Sequence, residues 1–216
     1  NMLYTSAIFQ VIVEWLLTVQ ETKEWLEGED VKDELPRYDC AMGALYEIGS
    51  ELGAASLVNY VSCTIGQLIG GSWQQKHVAL IFLFTACRVS MKTVQKASAQ
   101  IYNLIFSIYK DETQINKYYI IVILNKLYKA DTKTRSRYLD ASLNVAIEYF
   151  SEQHRVVERS CDFISYIIDH TDVELLSTKY DAIIRPLVQL LMTGPKGVVT
   201  EALCAVSFIA DRKSVV

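Results

Sequence analysis

Apolar residues recur along this chain at three- and four-residue intervals, in blocks such as "AIFQVIVEWLL" and "VALIFLFTAC", with short polar or glycine joints between blocks. That period predicts about ten helices of 14–20 residues, over 2–20, 38–52, 54–69, 72–88, 91–110, 113–130, 134–152, 155–170, 175–192 and 196–213. Gly53, Gly70–Gly71, Asp111–Glu112–Thr113, Asp131–Thr132 and Gly194–Pro195 punctuate them. Joints this short force antiparallel neighbours. The "GGSW" joint reads as a helix start with Ser72 as its N-cap.

The blocks echo one another. Aligning "WQQKHVALIFLFTA", from Trp73, with "QINKYYIIVILNKL", from Gln114, places Lys76 on Lys117 and Leu83 on Leu124, a step of 41 residues. Two further steps reach Val206 in "VVTEALCAVSFIAD", and the copy between, "VVERSCDFISYIID", fits after a slip of about two residues. First helices close on an acid (Asp131, Asp169 or Asp172, Asp211), and bases follow near the start of second helices (Lys96, Arg135, Arg137, Lys179).

A period near 40 built from two antiparallel helices is the mark of a HEAT-type solenoid; an ordinary bundle would share the composition but not the echo. The expected fold is therefore all-α: a HEAT-repeat α-solenoid, a superhelical stack of antiparallel helix pairs. Residues 1–216 read as one continuous segment of a longer chain, with repeats near 38–70, 72–111, 113–153, 155–193 and 196–216. Each pair is too thin to bury its own apolar face, so several helices should be apolar almost all round. Leu83, Leu124 and Val206 should occupy equivalent buried positions.

Composition narrows the picture. Hydrophobic residues make up 51%, with only 9 Gly and 3 Pro, which disfavours a turn-rich β-sandwich. A pI of about 5.5 and no basic patch argue against direct nucleic-acid binding. The longest apolar runs, Ala7–Val19 and Val78–Cys87, fall short of the roughly 20 residues a bilayer requires, so no membrane insertion is expected. Five widely spaced cysteines without a CxxC read as buried free thiols of a reducing compartment. His77, His154 and His170 share no metal-ligand spacing, and His77 is expected to pack or hydrogen-bond along its own helix. No catalytic or phosphate-binding motif occurs, so neither enzyme activity nor a cofactor or metal is expected.

Charge is less evenly spread. Residues 21–34 carry seven acids (Glu21, Glu24, Glu27, Glu29, Asp30, Asp33, Glu34) against two lysines, a net −5 in a chain of net −4. The stretch reads as an acidic inter-helix insertion over 21–37. Such a loop either stays solvated or offers a field to a cationic partner. Trp25 at its edge has the amphipathic ring that covers an interface or caps a groove.

Three stretches resemble the importin β (karyopherin β) nuclear transport receptors, nearest the branch that imports ribosomal proteins. The acidic segment with Trp25 leads into "YDCAMGALYEIGSELG", where Ala41, Ala44, Leu45, Ile48, Leu52 and Gly53 match A-x-x-A-L-x-x-I-x-x-x-L-G. "SWQQKHVALIFLFTAC" matches a helix opening W-x-x-[RK]-H through Trp73, Lys76 and His77. "GPKGVVTEALCAVSFIAD" resembles a later repeat, and the colinear likeness runs over about residues 24–213. The chain departs from the pattern in having Lys76 where Arg is usual, a bulky Tyr118–Leu124 and a short acidic segment. The armadillo adaptors fit less well: the positions four past Trp15, Trp25 and Trp73 are Val19, Glu29 and His77, so no Trp–Asn ladder exists.

The resemblance implies a non-enzymatic receptor in the cytoplasm, the nucleus and the nuclear pore. It would bind GTP-bound Ran, basic cargo such as ribosomal proteins or histones, and Phe-Gly nucleoporins. Trp25, Glu27, Glu29, Asp30, Asp33 and Glu34 would face Ran or cargo. Ile81 and Val122 fall where a HEAT first helix usually exposes a polar residue, so they would either dock a Phe-Gly repeat or lie buried in a thick core. A structural HEAT scaffold without Ran affinity is the alternative.

Overall fold

The computed structural model describes residues 2–27, 36–110 and 113–213, and among them there are helices and turns but no strand. They form a HEAT-repeat solenoid fold. The chain divides into two compact units, residues 1–130 and 131–216.

The first unit holds α1 (Met2–Leu16), α2 (Lys23–Glu27), α3 (Pro36–Leu52), α4 (Ala54–Ile69), α5 (Trp73–Val89), α6 (Met91–Lys96), α7 (Ser98–Ile108) and α8 (Gln114–Ala130). Pro36 opens α3, where its missing N–H costs nothing. Gly53, at φ 84°, turns the chain between α3 and α4 in a single residue. Ser72 caps α5 as expected: its hydroxyl accepts from Gln75 N, and the Gln75 side chain accepts from Ser72 N at 2.8 Å, a reciprocal capping box. At Gly49 the close approach of α3 and α4 leaves no room for a side chain; a Cβ there would lie 2.8 Å from Leu57 Cδ1.

α5 is the centre of this unit. It is packed by α1, α3, α4, α6 and α8. Every residue from His77 to Leu83 is buried, as all-round packing demands. Leu83 and Leu124 are both buried, but Val206 is only half-buried, with Ala205 and Ile209 taking the core positions beside it. α13 therefore presents a slightly rotated face.

The second unit holds α9 (Leu139–Glu148), flanked by the short 3-10 turns Arg135–Tyr138 and Tyr149–Ser151, then α10 (His154–His170), α11 (Val173–Leu176), α12 (Tyr180–Thr193) and α13 (Lys196–Lys213). α10 packs against α9 and α13, and α13 also against α12. The last carbonyls of α10 are satisfied by two guanidinium groups. Arg135 donates to His170 O at 2.5 Å, and Arg212 donates to Asp169 O and, at 2.6 Å, to Thr171 O. Cations at a helix C-terminus also meet the negative end of its dipole.

The first helices of the pairs run unbroken, whereas the second helices expected over 91–110, 134–152 and 175–192 are segmented. The breaks fall in "KTVQKAS", "DTKTRSRY" and "LLSTKY", where Ser, Thr and Asp offer the backbone local partners. Thr134 N and Oγ1 both donate to the buried Asp131 carboxylate, the first at 3.0 Å, and Ser177 Oγ donates to Glu174 O at 2.9 Å. α1 likewise stops at Leu16 rather than 20, where Thr18 Oγ1 bonds Trp15 O at 2.7 Å.

Candidate functional site

The acidic segment is only partly a loop. Residues 23–27 form α2, and the chain before them reaches α8, nearly a hundred residues on: Glu21 Oε2 accepts from Ile115 N at 2.9 Å. Trp25 is half-buried and stands edge-on to Tyr118, with ring centroids 5.7 Å apart. Glu27 is exposed and lies 3.5 Å from Lys23, one helical turn back. Glu29, Asp30, Asp33 and Glu34 lie outside the described residues. Trp25 thus packs its ring against α8, and the carboxylate of Glu21 caps that helix.

Between docking a Phe-Gly repeat and burial in a thick core, Ile81 and Val122 fare differently. Ile81 is fully buried, at 0% exposure, because five helices enclose α5 and leave that turn no free face. It offers no surface handle. Val122 on α8 is half-buried. Close by, Phe84 packs edge-on to Tyr119 at 5.3 Å, with the Arg88 guanidinium and the Lys126 ammonium each 5.8 Å from its centroid.

His77 bonds across to two other helices. Its Nε2 lies 2.8 Å from the Tyr38 hydroxyl on α3 and its Nδ1 2.9 Å from Asn116 Oδ1 on α8, joining three first helices. Burial, with Tyr119 and Asp39 nearby, pushes the Tyr38 hydroxyl well above its ordinary range. Among the described residues no group of three or more His, Cys, Asp and Glu gathers as a metal ion would need. No described helix is long and apolar enough to cross a membrane. The cysteines correct the expectation of uniform burial: Cys87 and Cys161 are buried, but Cys40, Cys63 and Cys204 are exposed.

A groove not anticipated from the sequence lies in the second unit, between α9 and α12. Its volume is about 290 Å³, and Leu143, Ile147, Ala182 and Ile183 give it apolar walls beside Asn144 and Asp140. Lys179, in the turn before α12, sets its ammonium 2.5 Å from Asp140 Oδ1. The Asp140 side chain remains 73% exposed and Lys179 only 29%. The groove thus pairs a carboxylate with a slot that accepts an aliphatic stem, and a lysine of this chain already occupies the carboxylate. Asp140 and Lys179 are 39 residues apart, near the repeat period, which is the one trace of the pairing in the sequence.

No protein-family model matches this chain, and no curated protein matches it. Solved structures that it resembles include those of the karyopherin Kap121p, of the importin β class. The crystal structure of Kap121p agrees over 97% of this chain and 21% of its own, with a TM-score of 0.80 and 20% identity. The RanGTP-bound form agrees over 98% and 22%, with a TM-score of 0.80 and 21% identity. The Nup53p-bound form agrees over 93% and 20%, with a TM-score of 0.73 and 20% identity. The chain spans about a fifth of the length of these structures.

Proposed function

We propose that this chain is a segment of an importin β type nuclear transport receptor, one continuous stretch of a longer HEAT stack moving between cytoplasm and nucleus. Its partners in this reading are GTP-bound Ran, basic cargo of the ribosomal-protein or histone kind, and Phe-Gly nucleoporins. The observation that carries it is backbone agreement with Kap121p over 97% of the chain at a TM-score of 0.80. The motifs around Ala41–Gly53 and Trp73–His77 support it in the same order along the chain.

No covalent chemistry is required of such a receptor; it works by complementary charge and shape. Glu27, Glu29, Asp30, Asp33 and Glu34, with Trp25 at their edge, supply the acidic field for a basic surface on Ran or cargo. The α9–α12 groove supplies a slot for one lysine of an extended basic peptide, the stem against Leu143 and Ile147 and the ammonium at Asp140. For nucleoporins, Val122 is the remaining candidate.

Capture of the chain by GTP-locked Ran tests the reading directly. Binding that is lost with GDP-loaded Ran, and weakened when Glu27, Glu29, Asp30, Asp33 and Glu34 are all changed to Ser, is the expected result. The weakening should also fade above roughly 0.15 M salt, where charges more than about 8 Å apart are screened. A chain that keeps its fold and binds neither Ran-GTP nor basic peptide is a HEAT scaffold instead.

A further inference from the structure

In a HEAT stack each helix pair touches only its neighbours, so bending is resisted one interface at a time. A contact that skips pairs works in parallel with the interfaces it spans. Residues 17–27 make such a contact. α1 packs against α3 and α5, and α5 packs against α8; the segment leaving α1 then returns to the first turn of α8 and closes the ring. It is anchored twice, by different chemistry, one helical turn apart. Glu21 Oε2 takes the Ile115 N–H at 2.9 Å, and Trp25 stands against Tyr118 at 5.7 Å with the rings at 89°. The carboxylate meets the positive end of the α8 dipole, and the ring pair is in the edge-to-face arrangement aromatic quadrupoles favour.

We propose that residues 17–27 are a clasp that fixes the spacing of α1 and α8, and with it the curvature of the first unit. Val19 roots the segment in the core, but α2 beyond it contributes no buried residue, so releasing the two anchors at Glu21 and Trp25 leaves the helices packed. A solenoid stretch closed this way bends as one block, and opening the clasp restores pair-by-pair flexibility. The anchors lie at the foot of the acidic stretch, so whatever engages that stretch acts on the clasp first.

Two readouts on the same variants test this. Spin labels at Glu14 on α1 and Lys129 on α8, with Cys40, Cys63 and Cys204 changed to Ser, report their separation. Amide exchange at Ile115 reports the cap. In the Glu21→Ala, Trp25→Ala double variant we expect exchange at Ile115 to quicken about tenfold. The label distance should shift or spread by about 5 Å, half an interhelical spacing. Glu21→Gln, which keeps an acceptor oxygen, should retain the parent distance. Faster exchange with an unchanged distance would reduce the contact to a local helix cap and overturn the proposal. So would no change in either readout with helical content intact.

Discussion

His77 donates from Nδ1 to Oδ1 of Asn116 at 2.9 Å, and both side chains are completely buried. The direction follows from the next bond: Asn116 Nδ2 donates to Trp73 O at 3.0 Å, so its oxygen faces the imidazole and Nδ1 carries the proton. Nε2 is then the acceptor for the Tyr38 hydroxyl at 2.8 Å. A neutral imidazole is fully used, and three successive first helices are held in register by a buried polar chain.

Removing one link deprives its buried neighbours of a hydrogen bond. Asn116→Ala should therefore cost about 1–3 kcal/mol, the penalty of an unmet buried polar group, in chemical denaturation of the chain. A His77→Ala, Asn116→Ala double variant should lose less than the sum of the singles, because the two share one interaction. Strict additivity in that cycle would show that the residues act independently.

Much of the fold was legible because helical period and repeat step are local properties. α4 and α13 lie where the periodicity placed them, and the Ser72 cap was readable from four letters. What escaped was long-range. Tyr38, His77 and Asn116 are 39 residues apart in each step, close to the period, yet an alignment on Lys76 and Lys117 hides them because the polar chain runs diagonally between neighbouring helices. The Glu21–Ile115 bond spans 94 residues and follows no period at all. The α9–α12 groove depends on where α12 begins after its Ser-Thr-Lys turn, and local side-chain bonding decides that.

The enclosure of α5 makes its core positions intolerant in different ways. Leu83→Ala should destabilise by about 2–5 kcal/mol, the range for a buried leucine whose surroundings cannot collapse. Ile81→Asp should be worse, because it buries a charge with no partner beside it. Thermal unfolding followed by circular dichroism ranks them. Near-parental stability for Ile81→Asp would contradict the burial described for that turn.

The thiols divide by environment. Burial pushes both Cys87 and Cys161 from an ordinary 9.0 up to about 12; Lys126 partly opposes the shift at Cys87, whereas Glu201 and Glu158 add to it at Cys161. Alkylation of the folded chain near about pH 8 should modify Cys40, Cys63 and Cys204 and spare the other two. Between about pH 9 and 12 the unfolded chain releases these two protons while the folded chain keeps them. Stability should accordingly fall as pH rises through that window and be insensitive to these groups below it. Rapid labelling of Cys87 or Cys161 under native conditions would refute the assignment.

Lys179 gives the groove its own occupant. Its ammonium lies 2.5 Å from Asp140, so in the reading proposed above a lysine of a basic peptide must first displace it. An ion pair with its carboxylate largely in solvent contributes only about 0–1 kcal/mol, which the peptide must offset. Lys179→Ala should thus tighten binding of a lysine-bearing basic peptide by up to about fivefold. Folding stability should fall by no more than about 1 kcal/mol, the contribution of the pair itself. Asp140→Asn should abolish the gain, since an amide offers an ammonium no charge. Titration by calorimetry at low salt separates the outcomes. Tighter binding in Lys179→Ala that survives the added Asp140→Asn would place the peptide elsewhere on the second helices, and no tightening at all would mean that Lys179 blocks nothing.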